Sequence, residues 1–250
     1  IGQYREDDNN MKLKINGFAN ELKFYDDKIN ILCIKDTKCF TNIIQKINYK
    51  IGGIENEGIF LLDDMNDEIK MQKEVLIIID LFNIDFNSKK ILGKLYDKIS
   101  ESIENSDSTK IQNMLIEIRK SIIDEINEFP FEFTMSDNID IVNMLKLYNL
   151  KIDKLAYESI LEKIEFLIDL NTTLNIFSII VIPNLKIYLS HEELIELYKY
   201  SLYNNVKLLL ISSVSCLILF GYGILISKNM NNLCDIAWYG YNTIMTLLTS

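Results

Sequence analysis

The sequence predicts an α/β fold interrupted by a block of helices, and three patterns lead to that class. Short apolar runs rich in β-branched residues occupy 31–34 and 75–80 early in the chain and 176–182 and 206–211 late in it. From residue 88 the apolar spacing becomes helical and stays so for roughly 80 residues. Strand character then returns, so one α/β unit is divided by a helical insertion.

In chain order, residues 1–10 are polar, precede Met11 and read as a flexible extension. Residues 11–15 alternate apolar and polar, as a half-buried strand does. After the Asn16-Gly17 turn signal, 21–25 and 30–34 read as strands, and the polar 26–28 connection suggests a hairpin between them. In 38–50, Phe40, Ile43, Ile44 and Ile47 recur at helical spacing. A Gly-rich, acidic stretch follows, with a short strand at 59–62. The run 75–80 is the kind of strand that flanking helices bury on both faces.

The helical block opens with Ile91, Leu92, Leu95 and Ile99 on one stripe. After a polar break at 105–109, Ile111, Met114, Leu115, Ile118, Ile122 and Ile126 form a second, stopped by Pro130. A third helix is expected after the capping residues 136–138, and a fourth over 154–170. Beyond it, 176–182 reads as a strand ending at Pro183. The sequence Ser190-His191-Glu192-Glu193 is a capping box opening a helix to Tyr203, and 206–211 is a buried strand. Strand, helix and strand imply a parallel pair with a right-handed crossover. The expected division is a head of 11–88 with 171–236, a helical leg of 89–170, and extensions at 1–10 and 237–250.

Composition limits the function. The 250 residues are 48% hydrophobic and 25% charged, enough for a real core and too apolar for disorder. Cys33, Cys39, Cys216 and Cys234 form no C-x-x-C pair and no leader segment is recognisable, which points to reduced thiols and a cytoplasmic chain. The net charge of −10 opposes nucleic acid unless lysines cluster or cations cancel carboxylates, and Arg5 and Arg119 are the only arginines. Residues 208–227 carry no charge over a length that would span a membrane. Ser212, Ser213, Ser215 and Ser227 and the Gly221-Tyr222-Gly223 turn equally suit two short buried strands. A tail anchor and a sheet core both remain open on hydropathy.

Catalytic chemistry is sparse. His191, the only histidine, lies in the first turn of a capped helix with no Ser or Cys partner, so triad chemistry is excluded. Strand 31–34, then Lys35-Asp36-Thr37-Lys38, then a helix has the layout of a phosphate-binding loop without its glycines. Asp80 ends an apolar strand where NTPases place a magnesium-binding aspartate. The expectation is a P-loop-NTPase-like shape with a degenerate nucleotide site; a small NTPase or kinase-fold enzyme is the alternative.

Lys90, Lys94 and Lys98 recur every four residues on one helix face. Arg119 with Lys120, and Lys146, Lys151 and Lys154, form further basic groups. They read as a solvated face, or as phosphate-tracking residues once several copies line a channel. Glu117, Asp124 and Glu128 share a helical face, and Glu125, Glu132, Asp137 and Asp140 follow around Pro130. Oxygen-only ligands suit a hard cation such as calcium; the alternative is a solvated acidic face.

The run from Val75 through Leu95 resembles the Csn-two proteins of type II-A CRISPR systems. So do DIVNMLKLYNLKID at 140–153, NLKIYLSHEELIELYKYSLY at 184–203 and the segment 226–236. Trp238 to Ser250 departs from that family's pattern. The resemblance implies a non-catalytic protein of spacer acquisition with a degenerate P-loop-like head and a helical leg. It implies a homotetrameric ring that binds ends of linear double-stranded DNA in a lysine-lined channel, held by calcium. Its partners would be the CRISPR integrase complex and the effector nuclease, with no membrane. On this reading Lys90, Lys94, Lys98, Arg119, Lys120, Lys146, Lys151 and Lys154 meet DNA. Glu117, Asp124, Glu125, Glu128, Glu132 and Asp137 meet calcium.

Overall fold

The computed structural model describes residues 11–213 except 19, 26–27, 106–108, 136–140 and 154–156, together with the backbone of Tyr222–Ile226. Contacts divide the chain into two compact units, Ile1–Ile84 with Ala156–Ser250, and Asp85–Leu155.

The first unit is built on two sheets. The strands β1 (Lys12–Ile15), β2 (Leu22–Lys23), β4 (Ile59–Leu62) and β5 (Glu68–Ile69) form an antiparallel sheet in the order β2-β1-β4-β5. Leu13 pairs with Leu61 and Ile15 with Ile59. β1 alternates as its sequence requires, with Leu13 and Ile15 buried and Lys14 exposed.

The second sheet is parallel throughout. It contains β3 (Asn30–Ile34), β6 (Val75–Ile77), β7 (Ile179–Pro183), β8 (Lys207–Ser212) and β9 (Tyr222–Ile226), in the order β6-β7-β8-β3-β9. Every residue of β3 is buried, as suits an interior parallel strand covered on both faces. One face carries Leu32, Ile34, Ile179, Val181, Leu209 and Ile211 into a core shared with Leu13, Phe24 and Leu61, and with Ile43 and Ile47 of helix α1 (Thr37–Ile51). By alternation, Ile31, Ile180, Ile182, Leu208 and Leu210 point to the opposite face. Two further helices belong to this unit, α6 (Ile160–Leu174) and α7 (His191–Tyr203). They bury Ile164, Leu167, Ile168, Leu194 and Leu197, and α7 packs on β8.

The local signals that set these boundaries are visible. Asp36 caps α1 by accepting from the Cys39 N–H at 2.7 Å. The Ser190 hydroxyl accepts from Glu193 N at 3.3 Å and the Glu193 carboxylate accepts from Ser190 N at 2.7 Å, completing the expected capping box. α6 ends at Asn175 in the left-handed region. Buried Asn171 then closes the turn into β7, accepting from Phe177 N at 2.8 Å and donating to Phe177 O at 2.9 Å.

The second unit contains α3 (Lys89–Asn105), α4 (Thr109–Ile126) and α5 (Ile141–Leu147). α3 packs on α5, and the buried Tyr96 donates its hydroxyl to Leu150 O at 2.7 Å. The Asn87 amide donates to Ile152 O and accepts from Ile152 N, both at 2.9 Å. Its side chain thus does for residue 152 what a neighbouring strand would do.

Four expectations are corrected. Residues 21–25 and 30–34 are not a hairpin: β2 pairs with β1, and β3 joins the parallel sheet. The strand NILCI is buried at every position and cannot serve a sheet that alternates, whereas LK can. The strand at 75 is an edge strand of three residues, with Leu76 and Ile77 only partly buried and Ile79 exposed. The fourth helix starts at Ile160, where the Ser159 hydroxyl accepts from Glu162 N at 3.1 Å, and not at Lys154. That helix packs in the first unit because its apolar residues cover more than one stripe, so the leg ends near 155 and not at 170. The expected caps at 136–138 and the extensions 1–10 and 237–250 lie outside the described residues.

Among the described residues no helix is long and apolar enough to cross a membrane. The uncharged run 208–227 includes most of β8 and all of β9, which flank β3 on either side.

Candidate nucleic-acid interface

The basic residues fall on three helices of the second unit. On α3, Lys94 and Lys98 are exposed and Lys90 is half-buried. Tyr96 fixes the side of α3 that meets α5, and at about 100° per residue Lys94 and Lys98 point roughly 160° away from it. The α3 stripe is therefore a single face, as its spacing requires, turned from the α5 contact. Arg119 is half-buried and Lys120 exposed on α4. Lys146 closes α5, with its amine 3.4 Å from Asn143 Oδ1, and Lys151 is exposed just beyond. Lys154 lies outside the described residues.

The carboxylates Glu117, Asp124, Glu125, Glu128 and Glu132 are all exposed, on α4 and in the turn after it. Asp137 and Asp140 lie outside the described residues. Their donor chemistry fits a hard cation, being oxygen only. Their placement in a single chain does not, since no three acidic, His or Cys side chains among the described residues converge on one point.

The most informative feature of this unit is apolar. No described residue of α4 is buried, yet Met114, Ile116, Ile118 and Ile122 are large and exposed. Phe129, Phe131 and Phe133 continue the exposed apolar surface past the helix, Phe129 and Phe133 meeting edge to face at 6.2 Å. Of the expected stripe, Met114, Ile118 and Ile122 are exposed and Ile111, Leu115 and Ile126 are half-buried.

Positions that resemble a nucleotide site are occupied by the protein's own hydrogen bonds. Asp36 Oδ1 accepts from an N–H of the first turn of α1, the group a phosphate would need. The Asp80 carboxylate is exposed and folds onto the following turn, accepting from Asn83 Nδ2 at 2.7 Å and Phe82 N at 2.9 Å. The Asn83 amide and then the Phe82 N–H hold it below the usual carboxylate range. His191 is exposed at the head of α7.

One groove of about 650 Å³ opens between α6 and α7, lined by Glu165, Glu192, Ile195, Glu196 and Lys199 among others. Burial, then the neighbouring Glu196 and Asp169, push the Glu165 carboxyl upward. Tyr200 donates to Asp169 at 2.5 Å, which raises its phenol to about 12. This groove concentrates negative charge and repels phosphate.

The sequence reading named no apolar residue in this interface, yet Leu147 and Tyr148, at the end of α5, are 83% and 77% exposed between Lys146 and Lys151. Part of the signal was present: an aliphatic and an aromatic residue stand between two lysines, and Asn149 after them marks a helix stop.

A parallel sheet with helices, an antiparallel sheet beside it and a separate helical unit carrying exposed lysines define a mixed α/β protein with no assembled catalytic constellation among the described residues. The profile of the CRISPR-associated protein family Cas_Csn2 matches residues 53–224, and the chain belongs to that family. It is 24% identical over 177 residues to the CRISPR-associated protein Csn2 of Streptococcus agalactiae, covering 68% of this chain and 75% of that protein. The crystal structure of Stu0660 of Streptococcus thermophilus matches with a TM-score of 0.55 at 14% identity, over 80% of this chain and 68% of that one. That likeness is one of fold.

Proposed function

We propose that this chain is a non-catalytic protein that binds the ends of linear double-stranded DNA during spacer acquisition in a type II-A CRISPR system. It acts as a calcium-dependent homotetrameric ring in the cytoplasm, alongside the integrase complex and the effector nuclease. The observation that carries the reading is α4: an 18-residue helix with Met114, Ile118 and Ile122 exposed on one face and no buried residue among those described. Such a face is covered in the working protein, and a second copy supplies a matching one.

Assembly also answers the charge problem. Phosphate-tracking lysines on an anionic chain act only when several copies turn them toward one channel. Calcium would be held by Glu117, Asp124, Glu125, Glu128, Glu132 and Asp137 where the acidic faces of two copies meet, neutralising carboxylates that otherwise repel. Lys90, Lys94, Lys98, Arg119, Lys120, Lys146, Lys151 and Lys154 would meet the duplex.

Gel shifts of linear and covalently closed circular duplex, with calcium or with a chelator, test this reading. Retention of linear duplex only, and only with calcium, is the expected result. Equal retention of both forms, or none with calcium present, rejects it.

A further inference from the structure

Two large apolar side chains stand out for their exposure among the described residues. Leu147 and Tyr148 close α5 in a turn fixed from several sides. The N–H of Asn149 reaches Lys146 O at 2.9 Å and that of Leu150 reaches Leu145 O at 3.1 Å, with Asn149 in the left-handed conformation at φ 52°. That pair of bonds is a Schellman ending, with apolar Leu145 and Leu150 at the two positions the motif commonly makes apolar. Tyr96 holds Leu150 O and Asn87 holds both polar groups of Ile152, so the turn is tied to the body of its unit just beyond its tip.

The surroundings are cationic. Lys146 and Lys151 flank the pair, and the sequence has no acidic residue between Asp140 and Asp153 in an otherwise anionic chain. An aromatic and an aliphatic side chain on a rigid turn with a lysine on either side match a flat apolar surface rimmed by anions. The terminal base pair of a duplex is such a surface, with its π-face open and phosphates at its edge. Within continuous duplex the same side chains would have to unstack a step, which costs a few kcal/mol; at an end that cost is absent.

We propose that Leu147 and Tyr148 form a wedge that stacks on the terminal base pair of a DNA end while Lys146 and Lys151 hold the flanking phosphates. This rests on the DNA-end reading and supplies what lysines alone cannot, because phosphate contacts are the same at an end and in the middle.

The test uses the full chain with calcium and two probes of one sequence. The first is a blunt duplex with 2-aminopurine in its terminal pair; the second is the same duplex closed at both ends by hairpin loops. Tyr148→Ala is expected to weaken binding to the open duplex about 5- to 100-fold, the range of a lost base–aromatic stack. It should abolish quenching of the terminal fluorophore, whereas Tyr148→Trp keeps both the binding and the quenching, and neither variant should gain retention of the closed duplex. Lys146→Gln with Lys151→Gln should weaken binding to the open duplex and reduce its salt slope by about two.

If wild type prefers the open duplex and Tyr148→Ala binds it just as well, the wedge is wrong and end binding stands. If wild type binds neither probe, end binding fails and the wedge with it. If Tyr148→Ala lowers the assembled mass and its loss of open-duplex binding follows that dissociation, the pair is a contact between copies, which also overturns the proposal.

Discussion

Replacing Ile118 and Ile122 together by glutamine tests the assembly at its strongest point. Ile118 is 55% exposed and Ile122 44% exposed. Full burial of an isoleucine side chain is worth about 1.5–3 kcal/mol, so each still has roughly 0.8–1.5 kcal/mol to gain when a partner covers it. Across a two-fold contact four such side chains are lost, about 3–6 kcal/mol in all, or roughly 10²- to 10⁴-fold in the association constant. The monomer should not suffer, because glutamine is the better helix former and neither position is in a core. Light scattering over a concentration series with calcium should therefore show dissociation, while urea unfolding of the variant monomer stays ordinary. Identical mass for variant and wild type at every concentration would refute the assignment of α4 to the interface.

Other consequences can be read more briefly. Asn171→Ala should cost about 2–4 kcal/mol in urea unfolding, since it removes two hydrogen bonds and strands the buried polar groups of Phe177. Asn171→Asp should not rescue it, because a carboxylate cannot donate to Phe177 O. Ser190→Ala should cost about 1 kcal/mol by removing the cap of α7. The raised Glu165 carboxyl makes the folded chain bind that proton more tightly than the unfolded one does, so its ionisation destabilises the fold as pH rises through the folded pKa. Glu165→Gln should accordingly stabilise the protein at neutral pH, with the gain vanishing toward acid; a pH-independent gain would contradict this.

What could be read from sequence divides along physical lines. β1, β3, α1, α3, α4 and α7 follow from period and caps alone, because each is specified within its own residues. The capping box at Ser190 is the clearest case, both of its hydrogen bonds being local. Pairing was legible only where a helix joins two apolar strands, as for the parallel pair β7 and β8; for 21–34 it was not. Nothing else within 21–34 says that β2 and β3 belong to different sheets; only the uninterrupted apolarity of 31–34 hinted that its neighbours would be distant strands. The end of the leg was misplaced for a similar reason, since helical period cannot say which layer a helix will join. Lysines and carboxylates were easily found as groups by spacing, but spacing describes one helix, and the tertiary bonds of Asn87 and Tyr96 that fix the α5 turn connect residues more than fifty positions apart.

In the proposed assembly the same helix supplies both the drive and the obstacle. Ile118 and Ile122 lie about 40° apart around α4, whereas Glu117 and Asp124 lie about 20° apart on another side. Bringing two such helices together buries apolar surface and at the same time crowds carboxylates that water and monovalent salt screen only partly over a Debye length of about 10 Å. A multivalent cation removes the obstacle without altering the drive, and oxygen ligands without imidazole or thiolate favour a hard one. Zinc-like chemistry has nothing to hold it in this segment. On the proposed reading, an apolar face beside an acidic one would make association conditional on cation, and through association would make DNA binding conditional on it too, even though no carboxylate need touch the duplex.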